Sequence, residues 1–112
     1  MKSLNKVSLI GNLGNTPEFQ VLENGIALAK LSLATSDSFK DKNGQLHTET
    51  EWHTIILWQN LAEIAHKFLN KGSLVYIEGK IKTRNYTDKE GIKKFVTEII
   101  ADQLIMLDKK EK

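Results

Sequence analysis

Two tryptophans sit in the segment TETEWHTIILW, Thr48 to Trp58, and an indole is a large π-face that can stack on a flat partner. Read at period 2, Trp52, Thr54, Ile56 and Trp58 fall on one face of a strand, and His53, Ile55 and Leu57 on the other. The indoles are then about 20 Å apart, at ~3.3 Å per residue. Both faces carry large apolar groups, which admits two readings. A central strand buried on both sides would hold the tryptophans as core. A platform for unpaired bases would hold them exposed, in series, beside cationic side chains.

The neighbouring cations bear on that choice. In the strand pattern from Leu74 to Arg84, the residues Lys80, Lys82, Arg84 and then Tyr86 share parity, while Val75, Ile77, Gly79 and Ile81 point to a core. A ladder of cations leading to an aromatic provides the two ingredients of a single-strand groove. Net charge is only +2, but it is unevenly spread: residues 1–56 hold five Lys/Arg against six Asp/Glu, and residues 57–112 hold eleven against eight. The excess concentrates between Lys80 and Lys94, where a solvated charged face is the plainer alternative to a phosphate track. Phe39 adds an aromatic in a polar, lysine-bearing stretch with no obvious core partner.

The elements that must position these residues are mostly strands. Lys6 to Leu13 reads as a strand that Gly11 and Gly14 bend or bulge, and Thr16-Pro17 marks a turn. Phe19 to Leu22 runs into the hairpin signal Asn24-Gly25. Ile26 to Ser36 follows, with Ala27, Ala29, Leu31 and Leu33 inward and Lys30 outward. A polar loop is expected from Asp37 to Thr48, turning at Asn43-Gly44. Between Asn60 and Gly72 the period changes: Leu61, Ile64, Ala65, Phe68 and Leu69 form one helical face, with Asn60 as N-cap, Glu63 three residues on and Gly72 as the left-handed C′ residue. After the Leu74 strand comes a turn through Asn85 to Gly91, a hairpin around 84–93, and extended runs at Lys94 to Ile100 and Gln103 to Leu107. Five strands with one helix between the third and fourth is the order of an OB-fold, an all-β Greek-key barrel with a single helix that binds oligonucleotides or oligosaccharides.

Composition excludes several other chemistries. A chain of 112 residues, 40% hydrophobic and 27% charged, makes one domain, expected over 1–108, with a short polar end at 109–112. The absence of cysteine removes disulfides, thiolate metal sites and a catalytic thiol, and fits a cytosolic protein. The N-terminal residues contain no signal-peptide run, and no stretch reads as a membrane span. His47, His53 and His66 have no metal-ligand spacing, Gly11 to Gly14 lacks the ending of a phosphate loop, and Glu49 and Glu51 sit on an exposed strand end. No enzyme, metal or cofactor is expected.

The order and extent of five segments carry a family resemblance: NKVSLIGNLGNTPE (Asn5 to Glu18), ENGIALAKLSLATS (Glu23 to Ser36), TEWHTIILW (Thr50 to Trp58), LAEIAHKFLNKGSLVYIEGKIKTRNYTD (Leu61 to Asp88) and TEI (Thr97 to Ile99). The sequence resembles the bacterial single-stranded DNA-binding proteins of the homotetrameric OB-fold type. That resemblance implies bases stacked on Phe39, Trp52, Trp58 and Tyr86, where the family more usually has tryptophan at the Phe39 and Tyr86 positions and phenylalanine at that of Trp58. It implies phosphate contacts drawn from Lys6, Lys30, Lys40, Lys42, Lys67, Lys71, Lys80, Lys82 and Arg84, and a subunit interface around His53, Leu74, Tyr76 and Glu78. The implied role is sequence-independent binding of single-stranded DNA in replication, repair and recombination, in the cytoplasm at the nucleoid. Thr16 stands where the family commonly has aspartate, a difference that nothing in the sequence explains. The family commonly ends in an acidic peptide that docks client enzymes. Asp108 to Lys112 sum to +1 without an aromatic, so such docking is not expected of them. Two alternatives are a dimeric primosome-type OB-fold protein and an OB module whose aromatics bind a protein partner.

Overall fold

The computed structural model describes residues 2–108, so the polar end expected at 109–112 lies outside the described residues. Six strands and one helix follow in the order β1 (Val7–Leu13), β2 (Glu18–Val21), β3 (Ala27–Lys40), β4 (Leu46–Trp58), α1 (Asn60–Phe68), β5 (Leu74–Thr87) and β6 (Lys93–Met106). The strands lie in the order β1-β5-β6-β4-β3-β2, and a further pairing of β1 with β3 closes five of them into a barrel. β1 and β2 are successive segments along the same edge of β3: Leu13 faces Leu33 and Glu18 faces Lys30. β2 is thus an edge addition, and the helix falls between the third and fourth barrel strands, as expected for an OB-fold. β4 and β6 meet in a short parallel contact at Ile55↔Ile99 and Ile56↔Ile100.

Alternation makes the core. Ala29, Leu31 and Leu33 from β3, Ile55 and Leu57 from β4, and Val75 and Ile77 from β5 are fully buried, and α1 closes over them with Ala62, Ala65 and the following Leu69. No helix among the described residues is long and apolar enough to cross a membrane.

The structure departs from expectation at several points. The stretch from Asp37 to Thr48 is a hairpin arm: β3 and β4 pair without interruption from Leu28↔Trp58 to Lys40↔Leu46. Its polar residues hold the ladder through hydroxyl pairs, Ser36–Thr50 at 2.9 Å and Ser38–Thr48 at 3.2 Å, so polarity here marks a strand exposed on both faces. β5 and β6 also continue, to Thr87↔Lys93. Both arms turn by one device, in which the Oδ1 of Asp41 or Asp88 accepts the backbone N–H groups two and four residues on. β6 is one strand whose register shifts beside Glu78/Gly79; Asp102 is the extra residue, which explains the break in its apolar pattern. Ile81 is 49% exposed because β5 has left the barrel by that point, and the Asn5 side chain supplies Ile81 with the backbone partners that β1 no longer offers. On α1, Ala62, outside the expected face, is fully buried, and Phe68, expected on that face, is exposed. The N-cap is Gln59, without a side-chain cap bond, and Leu69 is already extended. Gly72 therefore belongs to the next turn, where its N–H bonds Leu13 O.

Closure depends on the missing side chain of Gly11. A Cβ there would overlap the Ala34 carbonyl oxygen at the point where β1 passes from β5 to β3. Gly11→Ala is expected to cost about 1–3 kcal/mol, the usual range for overpacking, because backbone and not a flexible side chain must move. Urea unfolding checks this: an unchanged midpoint would mean that β1 can shift freely.

Candidate nucleic-acid interface

Uninterrupted β3–β4 register sends even-numbered residues of both strands to the outer surface. Trp52 is 59% exposed and Trp58 41% exposed, so neither indole is core. Trp52 lies over the backbone of Gly14, where a Cβ would come within 2.5 Å of its Cζ3 atom. The bend that ends β1 thus gives this indole its seat.

Where β4 and β6 part, a groove opens between the two hairpin arms. One cleft of about 400 Å³ is floored by Leu28, Ile56 and Ile100 and lined by Trp58, Lys80, Lys82 and Arg84. Its continuation, about 380 Å³, is lined by Lys30, Thr54, Arg84, Tyr86 and Val96. A third cleft, about 330 Å³, runs from Arg84 and Lys30 to Glu18 and Gln20 on β2. The structure therefore brings together Trp58, Tyr86, Lys30, Lys80, Lys82 and Arg84. Among the described residues, Lys30, Lys80 and Lys82 form no ion pair, whereas Arg84 Nε donates to Glu98 Oε1 at 2.9 Å and Nη2 to Oε2 at 3.2 Å. Glu98 holds the guanidinium above its already high ordinary value, first by that hydrogen bond and then by charge.

Other expected residues stand apart from this groove. Phe39 has the opposite parity to Trp52 on the β3–β4 arm and stacks on His47, ring centroids 5.3 Å apart. Lys40 and Lys42 are at that arm's end, while Lys67 is on α1 and Lys71 in the turn after it. Lys6 Nζ is 3.4 Å from Glu78, whose carboxyl lies below the usual range because the Tyr76 hydroxyl donates to it at 2.5 Å and Lys6 adds a second bond. Leu74, Tyr76 and Glu78 share one face of β5. His53 is on β4, with Nε2 2.9 Å from Thr35 Oγ1. Among the described residues no cluster of His, Cys, Asp and Glu could hold a metal.

Residues 4–107 match the model of the Single-strand binding protein family. The chain belongs to that family. Single-stranded DNA-binding protein 1 of Xylella fastidiosa is 47% identical over 99% of this chain and 82% of that protein. The single-stranded DNA-binding protein of Neisseria meningitidis serogroup A is 49% identical over 94% of this chain, which spans 60% of its length. Among solved structures, a Plasmodium falciparum SSB complex with ssDNA superposes with a TM-score of 0.88 at 38% identity, covering 96% of this chain and 98% of that one. A deletion mutant of the Thermus aquaticus single-stranded DNA binding protein gives 0.80 at 33% identity, covering 94% and 51%.

Sequence reasoning passed over Glu98, which is buried in the groove of this family member. The available signal was a carboxylate in an otherwise apolar run, TEII, with the outward parity of Val96 and Ile100.

Two expectations follow from this geometry. Gly14→Ala should swing the Trp52 indole outward and red-shift its emission, read in a Trp58→Phe background. An unmoved spectrum would mean that the indole does not rest on Gly14. At the β3–β4 tip, the side-chain bond from His47 and the backbone bond from Gln45 hold the Asp41 carboxyl low, so its NMR titration midpoint should fall below 3.8. The stabilisation is present above that value and lost as pH falls through the lower folded one.

Proposed function

We propose that this protein binds single-stranded DNA without regard to sequence, stacking bases on its exposed aromatics and holding phosphates with its unpaired lysines. The observation that carries this reading is the groove whose adjoining clefts are lined by Trp58, beside the apolar Leu28, Ile56 and Ile100, and by Tyr86, with Lys30, Lys80 and Lys82 in them without ion-pair partners among the described residues. Trp52 and, on the far side of the same arm, Phe39 extend the stacking surface, while Lys40, Lys42, Lys67 and Lys71 are cations available to a strand that wraps further; Lys6, expected among them, is paired with Glu78. The relatives' names support the same ligand. Such a protein serves replication, repair and recombination at the nucleoid in the cytoplasm.

Self-association belongs to this reading. Ile10, Tyr76 and Ile105 stand side by side across β1, β5 and β6, with Ile10 and Ile105 half exposed or more, and Leu74 and Glu78 share the Tyr76 face. An apolar row across three strands suits burial against a second copy. A homotetramer of four 12.7-kDa chains is the expected particle.

The test is titration with oligo-dT while watching tryptophan fluorescence, which stacking should quench. Trp52→Ala and Trp58→Ala should each weaken binding about tenfold, within the ~1–3 kcal/mol of one stacked base, with little change in thermal stability. Absent quenching, or lost stability with unchanged binding, would overturn the reading in favour of a protein-interaction module. Light scattering that gives a monomer at micromolar concentration would refute the tetramer, and a dimer would point to the primosome type.

A further inference from the structure

Arg84 and Glu98 stand where the clefts of the groove join, for both residues line the cleft of Trp58, the cleft of Tyr86 and the branch toward β2. Glu98 is only 5% exposed and is the one buried charged side chain among the described residues. The β5–β6 register puts Val96 opposite Arg84 and Lys82 opposite Glu98, so the carboxylate reaches diagonally to the arginine and forms no ion pair with the lysine directly across. A carboxylate removed from water keeps its charge where a partner satisfies it. The planar fork of a guanidinium meets both oxygens at once, which a single ammonium does not.

The same bond changes what Arg84 can offer a ligand. Its charge is matched by a neighbour it cannot leave without exposing a buried anion, and its fork is held in one orientation. The bonds from Nε and Nη2 use two of the five N–H groups of a guanidinium and leave three for other acceptors. Lys30, Lys80 and Lys82, unpaired in the same clefts, keep their full charge.

We propose that Glu98 is a positioning residue of the groove: it fixes the Arg84 fork between the Trp58 and Tyr86 stations and cancels its charge there. Arg84 then meets the strand as an oriented hydrogen-bond donor and not as a counterion. The lysines carry the ion exchange that makes binding salt-dependent. This role rests on the reading of the groove as a single-strand site.

Salt dependence separates the two kinds of contact, because each neutralised phosphate of a single strand contributes ~0.7 to the slope of log affinity against log salt. The full chain is titrated with oligo-dT over a salt series, as wild type, Lys82→Met, Glu98→Gln and Arg84→Met/Glu98→Gln. Lys82→Met should lower the slope by about 0.7. Glu98→Gln leaves the guanidinium uncompensated and should raise the slope by about 0.7. The double variant has the same net charge as wild type; it should keep the wild-type slope while affinity falls about five- to tenfold, the loss of one charge-assisted hydrogen-bonding group. An unchanged slope in Glu98→Gln, or a double variant whose slope drops as Lys82→Met does, would show that Arg84 is an independent phosphate contact and overturn the proposal. Thermal melting confirms that each variant is folded. Should Glu98→Gln fail to fold, the double variant decides alone, since replacing both members leaves no unpaired buried charge. Wild-type protein that does not bind oligo-dT overturns the proposed function itself, whereas binding with the contrary slopes overturns only the role of Glu98.

Discussion

The barrel closes where backbones touch without side chains between them. At Gly11 the chain passes against the Ala34 carbonyl, and at Gly79 it passes against that of Ile100, where a Cβ would collide with backbone in each case. The first contact lets β1 serve β5 and then β3; the second accompanies the register shift beside which β5 and β6 leave the barrel. Both hairpins then outgrow the core as two-stranded arms, and β4 and β6 keep only their short parallel contact. The groove is the space between those arms. Its existence follows from closure, because strands confined to the barrel would leave no walls.

Within that frame, the two-residue period assigns chemistry to faces. On the β3–β4 arm one side carries Trp52 and the hydroxyl pairs Ser36–Thr50 and Ser38–Thr48, while the other carries Asp37, Glu49 and Glu51, with Asp37 directly opposite Glu49. The carboxylates disfavour a polyanion directly beside them, near the base of that side and short of Phe39, whereas the indole side of the arm carries no carboxylate. The opposing carboxylates cost some stability in the arm. This local sorting explains how a net charge of +2 is compatible with an anionic ligand: among the described residues Lys6 and Lys94 stand near carboxylates elsewhere, whereas the three lysines that line the groove, Lys30, Lys80 and Lys82, form no ion pair.

Arg84 shows why counting cations overstates a binding surface. Sequence parity places it with Lys80, Lys82 and Tyr86, and the structure keeps that alignment. Its charge nevertheless belongs to a pair made with a residue fourteen positions later in the chain. The apolar floor of Leu28, Ile56 and Ile100 strengthens that pair by excluding water from one side.

Residue order alone determined the elements whose signal is local. Alternation in Ala27 to Leu33 fixes which side chains are buried, because a period of two leaves only two faces and the aliphatic one must leave water, whereas Trp52 to Trp58 is a strand with large apolar groups on both faces and its pattern left the exposure of the indoles open. The change of period after Asn60 marks the single helix for the same kind of reason. The tertiary structure alone decided what depends on partners distant in sequence. The polar arm from Asp37 to Thr48 is a strand because its hydroxyls find one another across the ladder. Ile81 is exposed because β5 has already left the barrel. Phe68 is exposed because α1 turns Ala62 and Ala65 onto the barrel core. Trp52 has a seat because Gly14 bends beneath it, and Glu98 is buried and charged because the register of β5 and β6 sets it diagonally from Arg84. A sequence pattern records which face a residue prefers, but the pairing of that face with another depends on register and closure, which no single segment contains.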